Sequence, residues 1–513
     1  MVDNIKVFWK AHPLRSILFI GIIIRLIAAI FSTGFIMHDD HFLIIEPAAS
    51  WANGGDYNRW LPWNQDKAIP SPEGHSLFYP GLHFIFFYLA KGLGIVDPKV
   101  QMLLIRLIHA VFSLATIFLS FKITEKLSSQ KSAIIVGLAI AVGWAFPFFS
   151  VRNLVEFFCI PFFMYGLWLF VKHDFKDNYK IFLLIGITFG IAFSVRLQIA
   201  SFLVGFGFSL LIMQKWRGII SIIFGFGLGA FLTQGVLDLI LWDQPFAELI
   251  EYVKYNSGDA KYQYGGTWSW YKYLLVLSFF SVPILGIFWL FGNVFSFKKH
   301  FWLAIPLLVF ILFHTLFPNQ QERFIFPVLP IYIILGVIGW QDFLIKSKFW
   351  IKRKVTWKRV RTAGWIINII ILVGASTYST KQAKVESAYY FYDKSGKNEK
   401  LVILQEDSFG EDDKYVGRAT AFPKFYAGNI KLATFQVNSK KDREKWENSD
   451  LEPEYILLHG PKKIVRRLDY FTKKFPQLEI VKTCYASQVD RLLHYLNPKN
   501  KNEQVIIIKT NLK

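Results

Sequence analysis

The feature that most constrains this chain is the recurrence of apolar windows of 15 to 25 residues, parted by short polar turns, through the first 379 of its 513 residues. The hydrocarbon core of a bilayer takes about twenty helical residues, and a backbone in lipid has to satisfy its own polar groups. The pattern therefore implies a polytopic α-helical membrane protein. Composition agrees, with 53% apolar residues, 52 Phe and a mean hydropathy of +0.34.

The formal charge of +21 is placed by the same windows. Lys and Arg cluster beside apolar segments, so topology and lipid head groups account for them, and no nucleic-acid partner is expected. Cys159 lies inside an apolar segment and Cys484 in the polar C-terminal part, so neither a disulfide between them nor a metal-ligand spacing is expected. The N-terminus reads as a retained first helix rather than a cleaved signal peptide.

Lys6, Lys10 and Arg15 precede a first span at 16–36. Further spans are expected near 101–121, 133–149, 154–171, 180–195, 197–213, 218–237, 272–295, 301–317, 324–345 and 364–379, about eleven in all. The segment 82–96 is short for a span and is expected to lie along the interface. The basic block 346–363 carries eight Lys and Arg and no acid, and belongs in the cytoplasm. The N-terminus is then cytoplasmic, and residues 1–379 form the membrane domain, with 37–100 as a first extracytoplasmic loop.

Residues 380–513 change character. Runs at 401–404, 431–436, 454–458, 478–483 and 504–509 read as strands. Stretches near 414–427, 439–447, 461–474 and 487–496 read as helices, giving a soluble α/β domain, 380–513, on the extracytoplasmic side.

That topology gathers polar residues on the extracytoplasmic face. They are Asp39, Asp40, His41 and Glu46; His75; Arg152, Asn153 and Glu156; Arg196 and Gln198; and a loop at 238–271 with Asp238, Tyr264 and Trp268. Arg323 follows in the stretch 319–323. Carboxylates at a membrane face are costly without a task or a partner. A carboxylate can deprotonate an acceptor hydroxyl, while Arg or His holds a phosphate as charge develops on it. Each group also has a plainer reading: Asp39 and Asp40 as a helix end, the His residues as structural hydrogen bonders, Trp268 as part of an interfacial belt. Arg25, within the first span, pairs with another helix or snorkels.

Taken together these stretches resemble glycosyltransferase family 22, the polyprenyl-phosphate-mannose-dependent mannosyltransferases of the GT-C fold. The family's first loop reads H-P-D-E-x-F/W-Q-x-x-E, and here residues 37–46 read MHDDHFLIIE, which puts Asp39 and Asp40 on the acidic pair and Glu46 on the later acid. Residues 75–80, HSLFYP, are similar to R-S-x-x-x-P, with His75 in place of Arg. The stretch 318–327, PNQQERFIFP, is similar to P-H-K-E-x-R-F-x-x-P; Arg323, Phe324 and Pro327 match, and Asn319, Gln320 and Gln321 replace His-Lys-Glu.

The resemblance implies an inverting hexosyltransferase, moving mannose from a polyprenyl-phosphate donor to a glycan, lipid or protein acceptor. It implies Asp39 or Asp40 as catalytic base. Substrate contacts are expected from His41, Glu46, His75, Arg152, Arg196, Asp238, Tyr264, Trp268 and Arg323. A base of this kind needs no metal, so no cofactor is expected, although two close carboxylates offer oxygen ligands to a divalent cation. The expected site is extracytoplasmic, in a bacterial inner membrane or the endoplasmic reticulum. A lipid-linked sugar transporter or flippase is the competing class. It would show internal repeats and a midplane site, whereas the polar groups here fall on one face.

Overall fold

The computed structural model describes residues 2–258, 267–392, 401–406, 421–428, 430–438, 440–449, 451–461, 463–496 and 503–510. They divide into two compact units.

The first unit comprises residues 1–30, 58–82 and 105–377 and is helical. Among the described residues of the whole chain, six helices are long and apolar enough to cross a membrane: Pro13–Phe31, Pro98–Leu127, Val155–Lys172, Trp216–Trp242, Glu322–Lys346 and Lys354–Tyr389. Lys272–Ser281 and Leu285–Ser296 meet that criterion only as a pair, bent by 117°. Four further apolar helices are shorter: Gln130–Val142, Tyr179–Val195, Ile199–Ile212 and Phe301–Leu316. The expected eleven spans are reached only if the bent pair and all four short helices cross.

Three segments depart from the sequence expectation. The first span, expected to reach residue 36, ends at Phe31. The segment 133–149 is two helices, Gln130–Val142 and Ala145–Ser150. A break in lipid requires partners for the freed backbone groups, and two distant residues supply them. Asn368 donates to Val142 O at 2.7 Å and accepts from Trp144 N–H at 3.0 Å. The buried Arg25 donates to the carbonyls of Ile140 and Ala141, both at 3.1 Å, and to Ser113 Oγ at 2.8 Å. Arg25 thus closes a helix end instead of snorkelling to solvent. The third departure is the bend near Pro283, where Ile284 takes φ +67° and Tyr332 Oη donates to Gly286 O at 2.7 Å.

Glycines set a close helix contact. A Cβ on Gly186 would lie 2.4 Å from Ile222 O, and one on Gly225 would lie 2.2 Å from Leu183 O. Backbone is therefore packed against backbone between Tyr179–Val195 and Trp216–Ala230, the small-residue packing that holds helices together where lipid removes the hydrophobic drive.

The second unit comprises residues 31–57, 83–104 and 378–513. Its break from the first falls at 377/378, close to the expected boundary, but it also takes in two N-terminal segments. Its sheet holds β1 (Leu401–Glu406), β2 (Leu432–Gln436), β3 (Tyr455–His459), β4 (Glu479–Cys484) and β5 (Val505–Lys509) in the order β2-β1-β3-β5-β4. The first three strands are parallel, and β5 runs antiparallel to both β3 and β4.

Helices Lys440–Glu447, Ile464–Lys474 and Gln488–Leu496 stand where they were expected. The helix expected near 414–427 is only a 3-10 turn, Lys424–Ala427, in its described part; residues 414–420 lie outside the described residues. Leu404, Ile456, Leu458, Phe471, Ile506 and Ile508 form the core. Arg467 caps the carboxyl ends of β1 and β3, pairing with Glu406 and donating to the carbonyls of His459 and Gly460 at 2.8 and 3.0 Å.

The N-terminal segments are stitched into this unit by backbone. Thr380 N–H donates to Thr33 O at 2.9 Å, and Ser32 Oγ donates to Tyr378 O at 3.0 Å. Gly34 adopts φ +81°, and a Cβ there would collide with Thr380 O.

Candidate active site

In the second unit the acidic stretch folds as a single turn, Asp39–Phe42, followed by the helix Ile45–Ala52. Its carboxylates part company. Asp39 is partly exposed, while Asp40 is buried. Asp40 Oδ2 accepts the Ile36 N–H at 3.2 Å, and its Oδ1 has no hydrogen-bond partner. Burial pushes the Asp40 carboxyl up, and the Lys381 ammonium is the strongest opposing influence. Lys381 sits 4.5 Å over the Phe35 ring.

Glu46 is engaged within the protein. Its two oxygens accept the Phe425 N–H at 3.1 and 3.0 Å, and Oε1 lies 3.1 Å from His41 Nε2. A carboxylate cannot donate, so His41 carries its proton on Nε2. The imidazole is stacked between Phe35 and Tyr426, with ring centroids at 4.4 and 5.5 Å. Tyr57 closes the group, its phenol pushed up by burial first and by Glu46 second.

In the first unit the candidate cations come together. Glu156 opens the short helix Val155–Phe158, Arg196 ends Tyr179–Val195, and Arg323 stands in the 3-10 segment Glu322–Val328. Glu156 Oε1 is 3.0 Å from Arg196 Nη2 and 3.7 Å from Arg323 Nε. Two guanidiniums converge on one fully buried carboxylate.

The angles are poor. Both Glu156 oxygens, and Nε and Nη2 of Arg196, lack a hydrogen-bond partner. Phe324 carries both cations, with Arg196 at 4.9 Å and Arg323 at 5.5 Å from its centroid. Arg323 Nε also donates to Gln321 Oε1 at 2.9 Å. Tyr252 is fixed nearby by Gln198 Nε2, which donates to its hydroxyl at 2.9 Å. Burial raises its phenol and Arg196 is the main influence lowering it.

The remaining candidates in this unit are held elsewhere. Arg152 turns back on its own helix, donating to Phe148 O at 2.5 Å and lying 3.9 Å over that ring. His75 stacks on Trp60 at 4.6 Å. Asp238 accepts from Gln234 Nε2 at 2.6 Å and from the Glu248 N–H at 3.1 Å. Trp268 donates its backbone N–H to Gln320 Oε1, and Lys272 lies 3.7 Å over its ring. Tyr264 lies outside the described residues.

Several groups carry no mark in the sequence. Glu248 Oε2 accepts the backbone N–H groups of Glu73, Gly74 and His75 at 3.1, 2.7 and 3.0 Å, and Oε1 accepts from Trp242 Nε1 at 3.1 Å. It ties the end of the first loop to the helix Ala247–Ser257. Lys381 is one lysine among many, and only its neighbours in space single it out. Gln320, in the place of the family's Lys, donates to the carbonyls of His314 and Thr315 at 3.2 and 2.5 Å and accepts from Trp268. That side chain is committed to holding the loop.

Comparison with solved structures identifies the architecture. ArnT from Cupriavidus metallidurans bound to undecaprenyl phosphate matches with a TM-score of 0.58 at 10% identity, over 97% of this chain and 98% of that one. The archaeal oligosaccharyltransferase AglB from Archaeoglobus fulgidus, in complex with an inhibitory peptide and a dolichol-phosphate, matches with a TM-score of 0.52 at 11% identity, over 88% and 70%. At such identities the likeness is one of fold, the GT-C fold of multi-pass membrane glycosyltransferases. No curated protein matches the sequence. The model of the Alg9-like mannosyltransferase family matches residues 16–400, most of the chain. The protein therefore belongs to the Alg9-like mannosyltransferase family, and is a membrane-embedded glycosyltransferase.

Proposed function

We propose that the protein transfers mannose from a polyprenyl-phosphate donor to a hydroxyl of a glycan, lipid or protein acceptor, with inversion, on the extracytoplasmic face of its membrane. The observation that carries this reading is the pair of guanidiniums on Glu156. Arg matches a phosphate with paired N–H donors in a planar fork, and two such forks face one place here. Arg196 still has Nε and Nη2 to offer. The lipid phosphates bound by ArnT and AglB are of the chemistry this arrangement suits.

On this reading, negative charge grows on the departing phosphate as the glycosidic bond breaks, and Arg196 and Arg323 hold it. Asp39, the more accessible of the acidic pair, takes the proton from the acceptor hydroxyl as that oxygen attacks the anomeric carbon. Asp40, buried beside it, fixes the turn through Ile36. A single displacement uses one base and no covalent sugar–enzyme intermediate, and neither step calls for a metal.

The test is direct. Purified protein in lipid nanodiscs is given labelled polyprenyl-phosphate mannose and a glycan pool, and the product's anomeric configuration is read by NMR. Transfer with inversion is expected. Movement of the donor across vesicles without transfer would establish the transporter reading instead. Transfer of another hexose alone would keep the mechanism and replace the sugar.

A further inference from the structure

Resting on that reading of the cationic site, we infer that His314 recognises a sugar hydroxyl, accepting its hydrogen bond at Nε2. His314 lies on Phe301–Leu316, five residues before the stretch 319–323, and is 3% exposed. Its Nδ1 is 2.8 Å from Phe310 O. A carbonyl oxygen only accepts, so the proton of the neutral ring is on Nδ1 and Nε2 is a bare acceptor. That Nε2 is buried and has no hydrogen-bond partner. A buried acceptor left unpaired costs about 1–3 kcal/mol, so a bound donor group is favoured there.

The surroundings say which donor. Phe324 carries Arg196 and Arg323, and the His314 ring stands 6.4 Å from the same ring. A phosphate held by the two guanidiniums would therefore place its attached sugar toward the histidine. The phosphodiester itself has no hydrogen to give, whereas each sugar hydroxyl has one. Tyr273 meets His314 edge-on at 6.3 Å, and Trp268 lies 5.2 Å from Tyr273, so aromatic faces are available to the C–H side of a hexose. The Tyr273 hydroxyl is already committed, donating to Gln321 O at 3.2 Å. Gln320 anchors the carbonyl end of the His314 helix, which fixes where the imidazole stands.

Binding of polyprenyl-phosphate mannose and of bare polyprenyl phosphate by the full chain in nanodiscs tests this. The wild type should hold the sugar-bearing lipid about tenfold more tightly, the worth of one well-made hydrogen bond. In His314→Phe, which keeps the packing on Phe310 and Phe324, that margin should fall below about twofold with bare-lipid affinity unchanged. His314→Gln keeps an acceptor oxygen and should recover part of the margin, and it serves equally if the Phe variant fails to fold. An unchanged donor margin with a tenfold higher acceptor KM would assign the hydroxyl to a glycan acceptor. If neither quantity moves, His314 contacts no sugar. A wild type that binds no polyprenyl phosphate overturns the parent reading, and this inference with it.

Discussion

Two buried carboxylates, Glu46 in the second unit and Glu156 in the first, invite comparison. Glu46 sits in a motif and looked like a ligand, yet both its oxygens are spoken for by Phe425 and one of them also by His41. Glu156 carried no motif of its own, yet it is the buried anion on which Arg196 and Arg323 converge, and neither of its oxygens is hydrogen-bonded. Spacing nominates residues, but satisfaction sorts them. A carboxylate whose lone pairs are filled by backbone N–H holds the fold together. One that meets two guanidiniums without a well-made hydrogen bond is a candidate for a functional group.

The comparison can be broken from its functional side first. Asp39→Asn should lower transfer by about 10²–10⁴, the worth of a general base, while the melting temperature stays within about 1 °C of wild type. Turnover of Asp39→Asn at the wild-type level, with loss confined to Asp40→Asn, would move the base to the buried member of the pair. Next in size is Arg196→Gln. It should weaken polyprenyl-phosphate binding by about ten- to a hundredfold, the range of one charge-assisted contact at about 1.5–3 kcal/mol. If affinity is unchanged, the cationic pair on Glu156 is only an internal ion pair.

Much of this was legible in the sequence, and the limits have physical causes. All five strands appear where the β-branched runs were, because a strand such as Leu401–Glu406, buried on both faces, writes a continuous apolar word. The expected membrane segments are helical for the same reason: period and hydropathy are local. Breaks are not local. The apolar run continues through Gly143 and Pro283, and the groups that tolerate those breaks, Arg25, Asn368 and Tyr332, lie far away in sequence.

The site divides likewise. Arg323 and the Asp39-Asp40 pair stand in motifs, whereas Glu248, Lys381 and the bare nitrogen of His314 acquire meaning only from what surrounds them in space.

The smaller predictions sharpen the structural side. Glu46→Gln leaves one oxygen for the Phe425 N–H but turns an amide N–H₂ toward another donor, and should cost about 1–3 kcal/mol of stability. Transfer at saturating substrate should fall less than about threefold, and a hundredfold loss would return Glu46 to the chemistry. The smallest effect concerns Glu248. Burial pushes its carboxyl up to about 7, against an ordinary value of 4.5, although four N–H donors pull the other way. A carboxyl raised in the folded state binds its proton more tightly there than in the unfolded chain. Stability from this group is therefore fullest below pH 4.5, declines as pH climbs toward 7, and is lost above it. With the donors opposing, the slope should amount to on the order of 1 kcal/mol. Melting temperatures of wild type and Glu248→Gln between pH 4.5 and 8 measure it. The wild-type curve should fall relative to that of the variant, and parallel curves would show that Glu248 stays ionised throughout, a fixed clasp on residues 73–75 rather than a titrating one.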